Sequence, residues 1–373
     1  MRHLTDATPL GWLVEPAGSK REAIVADQVT LADVARWAGV SVATASRALH
    51  GSVGRTVNPE LRARVRAAAA ELNYSPNANA QAVVRGTTTT VGLVLHDIAD
   101  PSAAALAAGV MAAAASRNLI VTICPTLSDP FAEVRHVEAL RRQRARAIIL
   151  AGSRFNDPES AERLGEELIG YAVGGGHVAV VGQHRMPVNT IEIDNAGGAQ
   201  RLAAALASLG YRQPAVLAGP ETIATSEDRV TGLRAGLAVA GVDLAEEHVI
   251  GAPFTRDGGY VAMTELLDLG VVDPGGVDVV FAVNDVMAVG AIAALRDQGL
   301  SVPGDVAVAG FDDIATLRDV RPALTTVRLP MERIGADALD LALGAPFDAD
   351  AEQARVITVA GEVVVRESTP ARA

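Results

Sequence analysis

The segment from Val29 to Leu49 reads VTLADVARWAGVSVATASRAL and has the pattern of two short helices joined by a tight turn. Thr30 and Asp33 have the spacing of a capping box at the start of the first helix. Gly39 can adopt the positive φ that such a turn uses, and Ser41 offers an N-cap for the second helix. Together these signals predict a helix-turn-helix unit, whose second helix enters the major groove of DNA.

A third helix is predicted further along the chain. Asn58 is a favourable N-cap, and Pro59 fits the first helical position. Apolar side chains then recur on one helical face, at Leu61, Val65, Ala68, Ala69 and Leu72. Three helices within residues 29–75 would form a compact DNA-binding head.

The second helix, residues 42–49, carries the predicted base contacts. Arg47 can donate to guanine O6 and N7, which is worth about 1–3 kcal/mol of discrimination between bases; the alternative is an ordinary solvated helix arginine. Val42 and Ala43 can touch thymine methyl groups. Thr44 and Ser46 are better suited to hold phosphates.

Charge is distributed unevenly along the chain. The formal net charge of −12 would by itself argue against a nucleic-acid partner. Residues 29–86, however, hold seven arginines and three carboxylates, a local charge of +4, and residues 87–373 carry −15. A basic head on an acidic body fits a DNA-binding protein whose body does not bind DNA, although a solvated helical domain enriched in arginine by chance would look the same.

Composition excludes several other classes of protein. The chain has 373 residues, of which 49% are hydrophobic and 3% aromatic, so Ala, Val, Leu and Ile must fill its cores. No apolar run reaches the ~18 residues of a membrane helix, and the first residues lack the apolar stretch of a signal peptide. A single cysteine, Cys124, excludes an internal disulfide and a cysteine-based zinc cluster. We therefore expect a cytoplasmic protein with no membrane partner, cofactor or metal.

From Val91 onward, apolar strands alternate with helices. The predicted strands are 91–95, 119–123, 147–150, 177–181, 215–218, 279–283 and 306–310. The predicted helices are 103–117, 131–143, 197–209, 229–240, 258–267 and 285–298. This alternation predicts parallel sheets with helices on both faces, and the length of the segment suits two such lobes.

Polar residues follow several of these strands. Ligands of open parallel sheets bind beyond the carboxyl ends of the strands, so these loops are candidate binding loops. The polar residues of these loops are His96, Asp97, Asp100, Ser102, Gln183, His184, Asp194, Thr225, Arg229, Asn284, Asp285, Asp312 and Asp313. Simpler roles stay open for some loop residues: Asp194, Asn195 and Asp285 can cap helices, and Arg229 can form a structural salt bridge with Asp312.

The segment 29–49, the sequence Leu72-Asn73-Tyr74-Ser75-Pro76-Asn77 and the chain as far as Val365–Ser368 resemble LacI/GalR family transcriptional regulators. The resemblance covers everything except residues 1–28. It implies an all-α helix-turn-helix head and an α/β, two-lobed, periplasmic-binding-protein-like core with parallel sheets. It also implies a hinge helix near Asn77–Val84 that enters the minor groove, although these residues also have the composition of an ordinary linker.

In the family a hinge leucine wedges the central base step, and Val83 occupies the matching position, where valine inserts less deeply. The predicted DNA-binding residues are Thr30, Ser41, Val42, Ala43, Thr44, Ser46, Arg47, Asn73, Tyr74, Asn79 and Val83.

For the small-molecule effector, the resemblance places the family's pocket arginine, asparagine and aspartate at Arg229, Asn284 and Asp312, and a stacking aromatic at Phe254. Multidentate donors and acceptors over an aromatic face hold sugars in such clefts. The remaining predicted effector-binding residues are Asp97, Ser102, Gln183 and Thr225. Ser102 and Ala103 stand where the family commonly has bulky aromatics, which disfavours an ordinary pyranose, and Ile223 stands where purine-responsive members carry an arginine.

These observations predict a sequence-specific transcriptional repressor that binds operator DNA as a homodimer under the control of a carbohydrate effector. The domains would be a disordered extension (1–28), the head (29–75), a hinge and linker (76–90) and the core (91–373). A dimer is favoured over a tetramer because residues 363–373 lack leucine heptads. A solute-binding protein with this core is the alternative. An enzyme is disfavoured because no phosphate loop, nucleophile elbow or metal-ligand cluster is present.

Overall fold

The computed structural model describes residues 29–50, 57–75, 86–127, 129, 131–153, 156–183, 186–272, 275–344 and 354–372. The chain divides into two compact units, Met1–Gln81 and Ala82–Ala373, which are described separately below. The division falls within the predicted linker, 76–90. The predicted extension (1–28) and the hinge residues Asn79 and Val83 lie outside the described residues.

Within its described residues, the first unit contains three helices: α1 (Leu31–Trp37), α2 (Val42–His50) and α3 (Pro59–Glu71). The predicted capping box at α1 is confirmed, since the Thr30 hydroxyl accepts from Asp33 N at 3.3 Å and the Asp33 carboxylate accepts from Thr30 N at 2.9 Å. Asn58 caps α3 by accepting from Glu60 N, also as predicted. Gly39, with φ of 60°, makes the turn between α1 and α2.

Small side chains fill the interior of the three-helix unit. The buried residues are Val34, Ala35, Ala38, Ala45, Ala48, Val65, Ala68 and Ala69. Val40, Leu49, Leu72 and Tyr74 pack around them as partly buried residues. Because alanines lie where the helices meet, the helix axes can approach closely, and the outer surface of α2 is left to polar and small residues.

The second unit contains twelve strands and eight helices within the described residues. The strands are β1 (Thr90–Leu95), β2 (Ile120–Pro125), β3 (Ala147–Ala151), β4 (His177–Gly182), β5 (Thr190–Ile193), β6 (Pro214–Ala218), β7 (Val249–Gly251), β8 (Val279–Ala282), β9 (Ala307–Ala309), β10 (Thr326–Arg328), β11 (Val356–Val359) and β12 (Glu362–Val364). The helices are α4 (Pro101–Ala115), α5 (Ala132–Arg142), α6 (Pro158–Val173), α7 (Asn195–Ser208), α8 (Ala224–Val239), α9 (Arg256–Asp268), α10 (Asp285–Asp297) and α11 (Met331–Gly344).

The strands form two parallel sheets, one in each lobe, as the sequence predicts. The first lobe has the strand order β11-β5-β4-β3-β1-β2, and the second has β7-β6-β8-β9. Alternate residues of β1 enter separate cores: Leu93 packs with residues of α4 and α11, and Val94 packs with residues of α5 and α6. Helices therefore cover both faces of the first sheet, and β10 pairs with β12 in a short antiparallel ribbon.

Glycines let α4 and α11 pack at very short range. A Cβ added to Gly109 of α4 would overlap the carbonyl oxygen of Glu332, and one added to Gly335 of α11 would overlap that of Leu106. The two helix backbones are therefore in direct contact, which only glycine at these positions permits.

In the described part of the core, the chain passes between the lobes at three points. It leaves β5 for α7 through Asp194, leaves β10 for α11 through residues 329–330, and leaves β11 for β12 through residues 360–361. Both lobes are thus built from separate stretches of sequence. Among the described residues, no helix combines the length and apolar character needed to cross a membrane.

Candidate DNA-binding surface and effector cleft

One side of α2 is open to solvent and carries the predicted DNA contacts. Ser41, Val42 and Ala43 are exposed, with Val42 at 48%. Ser46 and Arg47 are half-buried, and the Arg47 Nε donates to the Ala43 carbonyl at 2.9 Å. This bond holds the arginine stem along the helix, next to the exposed first turn.

Two further predicted DNA-binding residues set the start of α2. The Ser41 Oγ accepts from Thr44 N at 3.1 Å, and the two hydroxyls lie 2.8 Å apart. Ser41 is therefore the N-cap that the sequence predicts. Because the first turn of a helix presents free N–H groups and a partial positive charge, this end of α2 is suited to a phosphate.

Thr30, Asn73 and Tyr74 have clear structural roles in the head. Thr30 caps α1, and Asn73 adopts a left-handed φ of 49° just after α3. The Tyr74 N donates to the Ala69 carbonyl at 2.8 Å, and burial raises the pKa of the Tyr74 hydroxyl. Contact of these three residues with DNA remains a prediction.

In the core, Arg229 is buried near the start of α8 and is held by three acceptors. Its Nε donates to Asn195 Oδ1 at 2.9 Å, its Nη1 to the Val283 carbonyl at 2.6 Å, and its Nη2 to Asp312 Oδ1 at 2.9 Å. The guanidinium also lies 3.8 Å from the centre of the Phe311 ring. The structural salt bridge left open by the sequence is therefore present, and the partners come from the start of α7 and the ends of β8 and β9.

Asp312 belongs to a group of carboxylates contributed by both lobes. Burial raises the pKa of Asp312 to about 6, against the opposing effect of Arg229, and Asp100 raises it further. Asp100 lies in the first lobe at the N-cap of α4, and burial raises the pKa of its own carboxyl. The backbone of Asp312 has φ of 117°, a strained conformation for a residue with a side chain.

Asn284 and the neighbouring Asp285 have different structural roles. Asn284 is the N-cap of α10 and accepts from Met287 N at 2.9 Å, so the suggestion that Asp285 caps this helix is wrong. Asp285 instead accepts from the Thr326 hydroxyl at 2.7 Å and from Ile314 N at 3.0 Å. Since Asp285 is fully buried, desolvation raises the pKa of its carboxyl well above the ordinary value.

Gln183 and Thr225 connect the two lobes directly. The Gln183 Nε2 donates to the Thr225 hydroxyl at 3.0 Å and to Asp228 Oδ2 at 2.9 Å. The Thr225 N donates to Ser153 Oγ at 2.9 Å. The carboxyl ends of β3 and β4 are therefore hydrogen-bonded to the first turn of α8, so a shift between the lobes must break or rearrange these bonds.

The other predicted cleft residues lie at strand ends of either lobe. Asp97 follows β1 and accepts from Ala99 N at 2.9 Å. Ser102 is buried in the first turn of α4, where its N donates to Asp100. Phe254 lies so close to Gly219 that a Cβ there would overlap its ring. The described residues contain no cluster of His, Cys, Asp and Glu side chains suited to a metal ion.

Two contributors to the cleft are absent from the predicted effector set. Asp100 caps α4 and also influences Asp312, and Asn195 binds Arg229 although it lies 34 residues away in sequence. Asn195 follows Asp194, which caps α7 as suggested by accepting from Gly197 N. The position of Asp100 after the carboxyl end of β1 could have identified it as a cleft residue. The sequence around Asn195 indicates only a helix cap and gives no sign that Asn195 binds an arginine.

Known proteins are similar to this chain over nearly its whole length. Residues 30–77 match the family described as bacterial regulatory proteins, lacI family, and residues 203–369 match a periplasmic binding protein-like domain. The HTH-type transcriptional regulator GalR of Escherichia coli (strain K12) is 34% identical, over 84% of this chain and 88% of its own length.

Solved structures agree with these sequence matches. A complex of the transcriptional regulator CelR with cellobiose has 30% identity and a TM-score of 0.65, and covers 91% of this chain and 99% of its own. The lac repressor dimer bound to operator and the anti-inducer ONPF has 25% identity and a TM-score of 0.77, over 92% and 99% of the two chains. The predicted fold class is confirmed.

Proposed function

Because the chain belongs to the LacI family of bacterial DNA-binding transcriptional regulators, we propose that it is a cytoplasmic repressor that binds a roughly palindromic operator as a homodimer and responds to an uncharged sugar or other polyol. Its similarity to the operator-bound lac repressor dimer supports the dimeric binding mode. Two copies of α2, presented by a dimer, would read two half-sites in the major groove.

The buried Arg229–Asp312 pair is the observation that carries the effector half of the proposal. An arginine has five N–H donors, and three of those on Arg229 are held by acceptors of the protein. The guanidinium of Arg229 is bonded to residues that follow β8 and β9, so its two remaining donors and the Asp312 carboxylate lie beside strand ends, where sheet proteins of this class bind ligands. Vicinal hydroxyls match this set, since each hydroxyl both donates and accepts.

The charges around this pair favour an uncharged effector. The Asp100 and Asp312 carboxylates interact with each other and with Arg229, the single buried arginine of the described residues. A phosphorylated or acidic sugar would bring a further negative charge against these carboxylates in a poorly solvated site. We therefore expect hydroxyl-rich neutral ligands to bind and their phosphate esters to be rejected, with Phe254 as the stacking surface in place of aromatics at residues 102–103.

The contacts of Gln183 and Thr225 would couple effector binding to a change in the relative positions of the lobes, and through it to DNA affinity. An effector that binds between the lobes alters the bonds from Gln183 to α8, and hence the relative positions of the lobes. A coupling of about 1–3 kcal/mol is usual for allosteric pairs. The sign of the coupling, release of DNA or promotion of binding, is measured by titrating the effector into a protein–operator complex.

A two-part experiment tests the proposal on the full chain. Selection of bound duplexes from a random library should yield two inverted half-sites, and a thermal-shift screen of neutral sugars, polyols and sugar phosphates should raise the melting temperature only with neutral compounds. Recovery of no enriched sequence would refute the proposal that the protein is a sequence-specific DNA-binding regulator. A rise in melting temperature with sugar phosphates alone would refute only the proposal that the effector is uncharged.

A further inference from the structure

Arginines line one edge of the first lobe, although residues 87–373 are strongly acidic. The strands of a parallel sheet all begin at the same edge, and here this edge is preceded or flanked by six arginines. We call this row the amino edge and define it as Arg117, Arg141, Arg142, Arg144, Arg146 and Arg355. The opposite, carboxyl edge of the same sheet holds Asp97, Asp100 and Gln183.

Backbone hydrogen bonds fix the centre of the amino edge. The Arg146 N donates to the Thr90 carbonyl at 2.8 Å, and the Arg146 carbonyl accepts from His177 N at 3.3 Å. The Arg144 carbonyl accepts from both Thr88 N, at 2.9 Å, and the Thr88 hydroxyl, at 3.0 Å. Arg144 and Arg146 are thus held where β1, β3 and β4 begin.

Only some of the arginines at the amino edge form ion pairs or stabilise a helix end. Arg141 and Arg142 lie in the last turn of α5, where cations favour the negative helix end, and they pair with Glu167 and Glu138. Arg117 pairs with Asp340. Arg144 and Arg146 lie beyond α5, are exposed, and have no ion pair among the described residues. Their charge is therefore available to a partner.

The chain that arrives from the head enters the core at this edge. Ser75, at the end of the described head, and Thr88, which binds Arg144, are thirteen residues apart in sequence. Such a segment spans at most about 45 Å when fully extended. A duplex held by the heads is a line of phosphates with one charge per ~1.7 Å of helix axis, and the length of this segment sets an upper limit on the distance between the head and the point where the chain enters the core.

We propose that Arg144 and Arg146, at the centre of the amino edge, bind the phosphate backbone of the DNA that the heads hold. The acidic core then contributes its own sequence-independent contact, in addition to those of the head. This inference rests on the DNA-binding function proposed above. Since phosphate contacts release counterions, the contribution is greatest at low salt.

The experiment compares two double variants of the full chain. Arg144→Gln/Arg146→Gln removes two charges from the amino edge, and Arg296→Gln/Arg333→Gln removes two exposed arginines elsewhere on the core, with the same change in net charge. Anisotropy with a labelled 30-base-pair duplex of mixed sequence is measured over a KCl series. The first variant should weaken binding at least about 3-fold at low salt and reduce the slope of log K against log[KCl] by about 1–2; the second should change neither.

Equal effects of the two double variants, or no effect of the first, would overturn the inference. Since Arg144 has φ of 55°, the single variant Arg146→Gln provides a measurement without any change at a strained residue, and it should give about half of the slope reduction. Melting temperatures confirm that each variant is folded. Wild-type protein that binds no duplex at any salt concentration would instead refute the proposed function itself.

Discussion

Arg229 and Asp312 form an ion pair whose side chains are only 7% and 9% exposed, with Nη2 2.9 Å from Oδ1. The pair joins α8 to the end of β9 across 83 residues of sequence. Every described acceptor of this guanidinium also lies at a helix start or a strand end of the second lobe. The arginine therefore ties three loops together, in addition to facing the cleft.

Removal of Arg229 should destabilise the core strongly. Arg229→Ala leaves Asp312 buried without its partner, and breaking such a pair costs about 3–5 kcal/mol. Arg333→Ala, which removes an exposed i,i+4 pair with Asp337, should change stability by less than about 0.5 kcal/mol. Urea denaturation of both variants measures the difference, and equal small losses would show that Arg229 has no structural role.

Asp312 should make the stability of the core depend on pH between about 4 and 6. Its pKa is raised to about 6 in the folded chain and is about 3.9 in an unfolded one. In this window the folded state holds a proton that the unfolded state has lost, so the contribution of Asp312 to stability falls as the pH rises. Asp312→Asn removes this contribution.

The quantity to compare is the free energy of unfolding of the wild type minus that of Asp312→Asn. Urea titration measures both free energies at each pH. The difference should decrease from pH 4 to pH 6 and then level off. An increase over the same range would show that the ion pair with Arg229 outweighs burial and lowers the pKa of Asp312.

Two glycine-to-alanine changes should have opposite effects. Gly109→Ala forces a methyl group against the backbone of α11, and overpacking of this kind costs about 1–3 kcal/mol or more. Gly165 lies within α6 with open space around the position of an added Cβ, so Gly165→Ala should stabilise by about 0.5–1 kcal/mol. Thermal melts report both, and a neutral Gly109→Ala would mean that α4 and α11 separate easily.

Arg47→Ala should remove discrimination between DNA sequences more than it removes affinity. A bidentate contact to guanine is worth about 1–3 kcal/mol, or roughly 5- to 150-fold, for the selected operator. Binding to a mixed-sequence duplex, which depends on phosphates, should fall by less than about 3-fold. Parallel losses on both duplexes would assign Arg47 to the phosphate backbone.

Local signals in the sequence predicted the local structure well. The caps at Thr30, Ser41 and Asn58 are confirmed, because each depends on neighbours within three residues. The predicted strands and helices of the core are present with small shifts of their ends. Helices α6 and α11 and strands β7, β10, β11 and β12 were not predicted, although Asp157 caps α6 and Pro158 occupies its first turn.

Contacts between distant segments could be predicted only in part. The pairing of Arg229 with Asp312 was one of two open alternatives, since opposite charges at strand ends either pair with each other or bind a ligand. The bonds from Gln183 to Thr225 and Asp228 depend on how the lobes meet, which no local pattern encodes. The same is true of the contact between Gly109 and Glu332 of α11, because these residues are 223 positions apart in sequence.

The three passages between the lobes have a consequence for synthesis on the ribosome. The sheet of the first lobe needs β11, and its outer layer needs α11, yet both emerge only after the whole of the second lobe's sheet has been translated. Until β11 is synthesised, the earlier strands of the first lobe therefore have no strand to pair with the outer edge of β5. A nascent chain halted just before residue 356 contains the head and most of both lobes but cannot complete the first one.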